Sequence, residues 1–347
     1  MLFEFFFFLV VPRDILIAST TGLLPVLLFL GGLMFLDSYK LVARRDVLTC
    51  LGIGAAAALV AFGINRAFLD VLGLPLESYV RYGAPIVEES LKAAWLVLLL
   101  RRKAVGFLVD AGILGFALGA GFALVENVSY LLHLADANPF IWVVRGFGTA
   151  VMHGGTTALV AIVGKSLADA RSSDRSNVLL PGLGLAVLLH AFFNQFFFSP
   201  VLNTGIVLLV LPAALAGSFI QSERKTRDWL GAGFDSDANL LATIMGGNVG
   251  ATHLGQYLES LQQHFQPEVV VDLLCYLRLH SELAIQAKGV LMMRSTGFDV
   301  PADPDVPNKF EELSFLESSI GTTGKIALRP LIGRSSRDVW QLRLLQA

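Results

Sequence analysis

The sequence is poor in charge and in cysteine. Only 16% of its 347 residues are Asp, Glu, Lys or Arg and the formal net charge is −2, so no global field marks nucleic acid as a partner. Its two cysteines, Cys50 and Cys275, sit in separate regions and form no CxxC pair, which removes both a disulfide framework and a structural zinc signature. The HExxH spacing of a helix-borne zinc site is missing too, and no segment pairs Ser or Cys with His as a covalent hydrolase would. Apolar residues, in contrast, abound. They make up 54% of the chain, with a mean hydropathy of +0.65, values that belong to membrane proteins rather than soluble domains.

The composition changes near residue 221. Residues 1–220 hold 14 Lys/Arg and 13 Asp/Glu, whereas the shorter stretch 221–347 holds 12 and 15. This divides the chain into an N-terminal apolar or interfacial segment (1–14), a membrane domain (15–220) and a helical cytoplasmic tail (221–347). Phe3–Val11 is too short to cross a bilayer and no small-residue cleavage site follows it, so it is expected to be retained at the membrane surface. Crossing about 30 Å of hydrocarbon takes roughly 20 apolar residues. Seven stretches qualify: 15–36, 47–64, 82–100, 107–132, 140–164, 178–198 and 201–220. The expected fold is therefore all-α, a polytopic bundle of about seven transmembrane helices with a small helical domain at its C-terminus.

Basic residues orient it. Lys40, Arg44 and Arg45, then Arg101, Arg102 and Lys103, then Lys165, Arg171 and Arg175, then Arg224, Lys225 and Arg227 fall in alternate connections or after the last span. The connections 4–5 and 6–7 carry no Lys or Arg, and Arg66 and Arg81 in connection 2–3 are offset by Asp70 and Glu77. By the positive-inside rule the N-terminus lies outside and the C-terminus in the cytoplasm, which predicts a multi-pass protein of the cell (inner) membrane.

Within these spans are residues that hydrocarbon penalises by at least a few kcal/mol each, and such residues usually pair and act. Span 3 carries Glu88, Glu89 and Lys92; span 4, Glu126 and Asn127; span 5, Arg145 and His153; span 6, His190 and Asn194. At about 1.5 Å per residue, Glu88 and Glu126 lie about 9 Å below the outer surface, His190 about 12 Å and His153 about 16–20 Å, the shallower figure applying if Trp142 marks the interface. One wet cavity opening outward would serve them all. Glu88 and Lys92 are i, i+4 neighbours able to form a buried ion pair, and His190 and Asn194 share the same spacing. Two adjacent carboxylates at low dielectric do not both ionise readily, a usual preparation for acid–base work. Arg145 sits where it can snorkel to the interface, and Gly112, Gly115, Gly119 and Gly121 in span 4 mark close helix packing.

Glu88-Glu89-x-x-Lys92, Phe122-x-x-x-Glu126-Asn127, His153 and His190-x-x-x-Asn194, met in this order in successive spans, resemble the PrsW-type intramembrane proteases, relatives of the CAAX prenyl endopeptidases and the CPBP membrane proteins. The resemblance covers about residues 80–200 and leaves the tail out. It implies an endopeptidase acting on a membrane-anchored protein, by analogy an anti-sigma factor cut at site 1 on its outer side. Glu126 stands where the prenyl-processing branch has His, which favours the PrsW branch. The expected mechanism is glutamate-activated hydrolysis without a metal: Glu88 or Glu89 as general base, His190 or Glu126 positioning water, Asn194 with His153 stabilising the oxyanion, and Lys92, Asn127 and Arg145 in support. A zinc version on His153, His190 and Glu126 is the alternative. Intramembrane Glu and His also build proton-coupled carriers, and the same bundle could serve as a non-catalytic scaffold; no clear inverted repeat speaks for a carrier.

The tail shows helical apolar spacing at Leu254, Leu258 and Leu261 and at Val269, Leu273, Leu277 and Leu283, predicting helices over 237–296. A proline-marked linker and an amphipathic stretch around Phe310–Leu316 follow. The tail carries no catalytic or phosphate-binding motif, and its partner is not legible in the sequence. Residues 325–347, basic and with Trp340, are expected to suit anionic lipid.

Overall fold

The computed structural model describes residues 13–133, 138–171, 176–195, 197–247, 249–298, 300–301, 303–332 and 336–346, and among these there is no strand. Most of the apolar segment expected over 1–14 lies outside the described residues. The first helix, α1, is Arg13–Phe35, followed by α2 (Arg44–Leu72), α3 (Ala84–Arg101), α4 (Leu108–His133), α5 (Ala150–Arg171), α6 (Leu180–Asn194) and α7 (Pro200–Met245). Two π-type turns interrupt the series, Tyr79–Gly83 before α3 and Val144–Thr149 before α5.

Six described segments are long and apolar enough to cross a membrane: Ile15–Phe35, Arg44–Leu72, Leu108–His133, Phe140–Ala170, Asn177–Asn194 and Pro200–Met245. The seventh expected span is α3, 18 residues long, whose Glu88, Glu89, Lys92 and Arg101 keep it less apolar than the rest. Three boundaries move. Helix α2 runs on to Leu72, where Gly73 in the left-handed conformation (φ 59°) returns its N–H to the Leu69 carbonyl; its last turns hold the Arg66–Asp70 pair, which lowers the hydropathy without ending the helix. Helix α6 ends early, at Asn194. Lys165, expected in a loop, is buried in α5 and bonds Asp169 at 2.6 Å.

The chain forms two compact units. One comprises the described residues up to Asp37 with Leu41–Ser222; the other comprises Ser38–Lys40 with the described residues from Glu223 onward. In the first, α4 is the centre: every residue from Leu108 to Ala123 is buried, as expected of a helix apolar on all sides. Its small residues let neighbouring backbones touch it. A Cβ on Gly121 would stand 2.0 Å from the Leu51 carbonyl oxygen of α2, and one on Gly119 2.2 Å from the His153 carbonyl oxygen of α5. Asp110 caps the start of this helix, accepting from the N–H groups of Gly106 (2.8 Å) and Phe107 (3.2 Å). Trp142 is 1% exposed and faces Gly22 of α1, so it packs inside the bundle.

The second unit contains the end of α7, then α8 (His253–Leu261), α9 (Pro267–Ser295), α10 (Val306–Ala327) and α11 (Ser336–Leu344). Its core gathers Leu254, Leu258, Leu273, Leu277 and Leu283, periodic residues of the sequence, with Leu313, Leu316 and Ile320, while Leu261 and Val269 are partly buried against it. Both cysteines are free thiols.

Candidate active site

The costly side chains of α3, α4, α5 and α6 form one continuous chain of contacts. Glu89 is at its middle. Its Oε1 accepts from Lys92 Nζ at 2.6 Å and lies 2.9 Å from His190 Nδ1. Both members of the Glu89–Lys92 pair are essentially unexposed, with side chains at 0% and 1%. Lys92 thus pairs with Glu89, its i−3 neighbour, and not with Glu88 at i−4, the partner expected from the sequence. Helix rotation decides: Glu89 and Lys92 face the interior of the bundle, while Glu88 keeps a side chain 15% exposed. Glu88 Oε1 accepts from Asn65 Nδ2 at 3.2 Å, and its Oε2 stands 3.9 Å from His190 Nε2, too far for a direct hydrogen bond.

His153 joins the other half. Lys92 Nζ lies 3.2 Å from its Nδ1, and its Nε2 lies 2.8 Å from Glu126 Oε2. The two imidazoles meet edge to face with centroids 4.7 Å apart. Phe122, one turn before Glu126 on α4, packs against the His153 ring at 5.2 Å and receives Lys92 Nζ over its face at 4.8 Å. The Phe-x-x-x-Glu spacing thus sets an apolar floor and a carboxylate against the same histidine. Arg145, from the π-type turn, holds Glu126 Oε1 at 2.9 Å and Asn127 Oδ1 at 3.0 Å, and its guanidinium covers the Tyr130 ring at 3.4 Å. Asn127 in turn donates to the Gly22 carbonyl of α1 at 2.7 Å. Arg145 is therefore tied into the bundle; it does not snorkel.

Asn194 goes elsewhere. Its Nδ2 donates to the Val80 carbonyl at 3.0 Å, which fastens α6 to the turn preceding α3. Two residues that the sequence reading did not single out also belong here. Asn65 holds Glu88, and Tyr79 donates its hydroxyl to Asn65 Oδ1 at 2.9 Å. For Asn65 the signal was present in Gly54, Ala58 and Ala61, all buried on α2. That small-residue face continues at i+4 to Asn65, one position beyond the expected end of the span.

The hydrogen bonds set the tautomers. An ionised carboxylate only accepts, so His190 presents an N–H at Nδ1 to Glu89 and turns Nε2 toward Glu88. His153 likewise gives Nε2–H to Glu126 and directs Nδ1 at Lys92. A carboxylate behind each imidazole is the arrangement that orients histidine metal ligands. Glu88, His153 and His190 offer ligand atoms within 4.8 Å of one another, the two-His, one-carboxylate set of catalytic zinc sites. Two further observations suit a divalent cation. Among the described residues Glu89 Oε2 is buried without a hydrogen-bond partner, and three carboxylates face two permanent cations, Lys92 and Arg145. The set differs from the zinc alternative read from the sequence: Glu88 replaces Glu126, which Arg145 and His153 already occupy.

No curated protein and no solved structure matches the chain. A family model described as PrsW family intramembrane metalloprotease matches residues 43–217, the interval that contains α2 to α6, both π-type turns and Glu88, Glu89, Lys92, Glu126, His153 and His190. On that match the chain belongs to the PrsW family, and the protein is an intramembrane protease.

Proposed function

We propose that this protease hydrolyses a peptide bond of a membrane-anchored protein at the cluster of Glu88, His153 and His190, and that these three residues hold a zinc-like divalent cation. The observation that carries the reading is the convergence of three donors whose two imidazoles are each backed by a carboxylate. The chemistry such a cation supplies when bound is acidification of water and polarisation of the scissile carbonyl. The chain's own residues do the rest. Glu89 orients His190 and neutralises Lys92; Glu126, gripped by Arg145, orients His153; Phe122 walls the site with apolar surface. Asn194, bonded to Val80, acts on the placement of His190 through α6.

A second reading is metal-free. It is favoured by Lys92, whose ammonium stands 3.2 Å from His153 Nδ1 and competes with a cation there. In that reading Glu88 Oε2 takes a proton from water, and His190 Nε2, on the far side of a 3.9 Å gap, helps to align it. In both readings the substrate is a single-span protein, the anti-sigma-factor type being the one that the family resemblance suggests. The membrane is the cell (inner) membrane, with the C-terminus cytoplasmic.

The test uses the full chain in liposomes with a single-span substrate. The expected result is near-stoichiometric zinc, lost in His190→Ala, with chelation abolishing cleavage and added zinc restoring it. Full activity in metal-free protein would move the mechanism to the second reading. Cleavage by Glu88→Gln at the wild-type rate would refute both, and solute flux without a peptide product would point to a carrier.

A further inference from the structure

We infer that Asn65 and Tyr79 are positioning residues for Glu88, a relay that aims its carboxylate at His190. This rests on the reading that Glu88 is the reacting-site carboxylate, and holds whether Glu88 binds a cation or takes a proton.

Glu88 differs from the other two acids of the cluster. Glu89 is held by Lys92 and His190, and Glu126 by Arg145 and His153. Among the described residues Glu88 receives one hydrogen bond, from Asn65 Nδ2 to Oε1 at 3.2 Å, while Oε2 faces His190 Nε2 across 3.9 Å. A carboxylate tethered by one oxygen still rotates unless the donor itself is fixed. Here it is: Tyr79 Oη donates to Asn65 Oδ1 at 2.9 Å, so the amide must present its NH₂ side to Glu88. An amide turned the other way would set carbonyl against carboxylate.

Tyr79 is secured in its turn. It is 6% exposed and opens the π-type turn Tyr79–Gly83. A Cβ on Gly83 would fall 2.6 Å from its ring, so the glycine makes room for the tyrosine. The next residue, Val80, gives its carbonyl to Asn194 at 3.0 Å, on the helix that carries His190. Turns of this kind inside helices recur at functional sites. Here the turn joins both sides of the Glu88–His190 gap: one end reaches Glu88 through Tyr79 and Asn65, and the other reaches α6 through Asn194. Asn65 touches a group that reacts and Tyr79 acts through Asn65, so their effects belong to one line.

Steady-state cleavage by the full chain in liposomes tests this, with Tyr79→Phe chosen because it keeps the ring against Gly83. Asn65→Ala is expected to lower kcat about 10–100-fold, the usual cost of losing an orienting partner, with KM little changed. Tyr79→Phe should give a smaller fall in kcat with a wild-type melting temperature. The double variant should be no slower than Asn65→Ala alone, because the Tyr79 hydroxyl bonds Asn65 Oδ1 and its hydrogen bonding acts on Glu88 through the amide. A readout apart from turnover is the infrared carboxylate stretch that disappears in Glu88→Gln; it should shift in Asn65→Ala and, by less, in Tyr79→Phe. Wild-type kcat in Asn65→Ala, full additivity of the two changes, or an unmoved stretch would each overturn the relay. An active Glu88→Gln would instead overturn the reading on which it rests.

Discussion

Replacing Glu89 by Gln removes one charge from the least exposed part of the cluster and changes almost no volume. Lys92 would then keep a buried ammonium beside a neutral amide, the His153 Nδ1 lone pair and the Phe122 face. Breaking a buried ion pair from one side costs about 3–5 kcal/mol. At 2–4 °C per kcal/mol, the scaling for domains of 150–250 residues, the melting temperature should fall by roughly 6–20 °C. Glu88→Gln is the matched control. Its side chain is 15% exposed and accepts one 3.2 Å bond that a glutamine oxygen can still accept, so the cost stays within about 1 kcal/mol, the net worth of one ordinary hydrogen bond. Activity should order the two the other way. Glu88→Gln should lose about 10²–10⁴-fold in kcat, the range of a positioned acid–base group, while remaining folded. A third variant, Glu89→Leu with Lys92→Met, removes both charges at similar volume and should recover most of the lost melting temperature, because buried pairs replaced together by apolar residues are near neutral. The assay is thermal unfolding of the purified protein in detergent, read by tryptophan fluorescence, beside cleavage in liposomes. A Glu89→Gln protein that melts with the wild type, or a Glu88→Gln protein that melts far below it, would refute the division of labour between the two acids.

Two further outcomes follow from other parts of the molecule. Gly119→Ala places a methyl group 2.2 Å from the His153 carbonyl oxygen, so α5 must move; a misplacement of about 1 Å at a catalytic group costs about 10²-fold, and single-turnover cleavage should show it with topology retained. In the tail, burial holds the His280 imidazole below its ordinary pKa, against the opposing pull of Asp237, Asp338 and Glu317. The unfolded chain then binds more protons than the folded one as pH falls below about 6.5, so tail stability should decline on acidification from that point. Hydrogen exchange of α9 peptides in the full chain at pH 7.5 and 5.5 measures this; His280→Gln should remove the difference, and equal protection at both pH values in the wild type would contradict it.

The sequence alone determined which residues had to be explained. Hydrocarbon makes each of Glu88, Glu89, Lys92, Glu126, His153 and His190 expensive, so their presence in consecutive apolar runs announced a shared polar site before any contact was known. The glycine stripe of span 4 likewise announced the helix that the others touch, because a missing Cβ has no other use on a buried face. The apolar periodicity of the tail placed its core leucines in the same way. Pairing was another matter. Positions i+3 and i+4 lie on one helix face, so Lys92 could meet Glu89 or Glu88, and only the rotation of α3 against α5 and α6 decided for Glu89. Asn194 shares a face with His190 yet bonds a backbone carbonyl, since the turn before α3 comes within its reach. Asn65 was hidden by a hydropathy drop that a surface ion pair and a glycine cap turn into two more helical turns, and Tyr79 by a π-type turn with no sequence period. Local energetics thus named the costly groups, while their partners were set by helix rotation and by the two π-type turns beside the site, quantities that depend on the packing of the whole bundle.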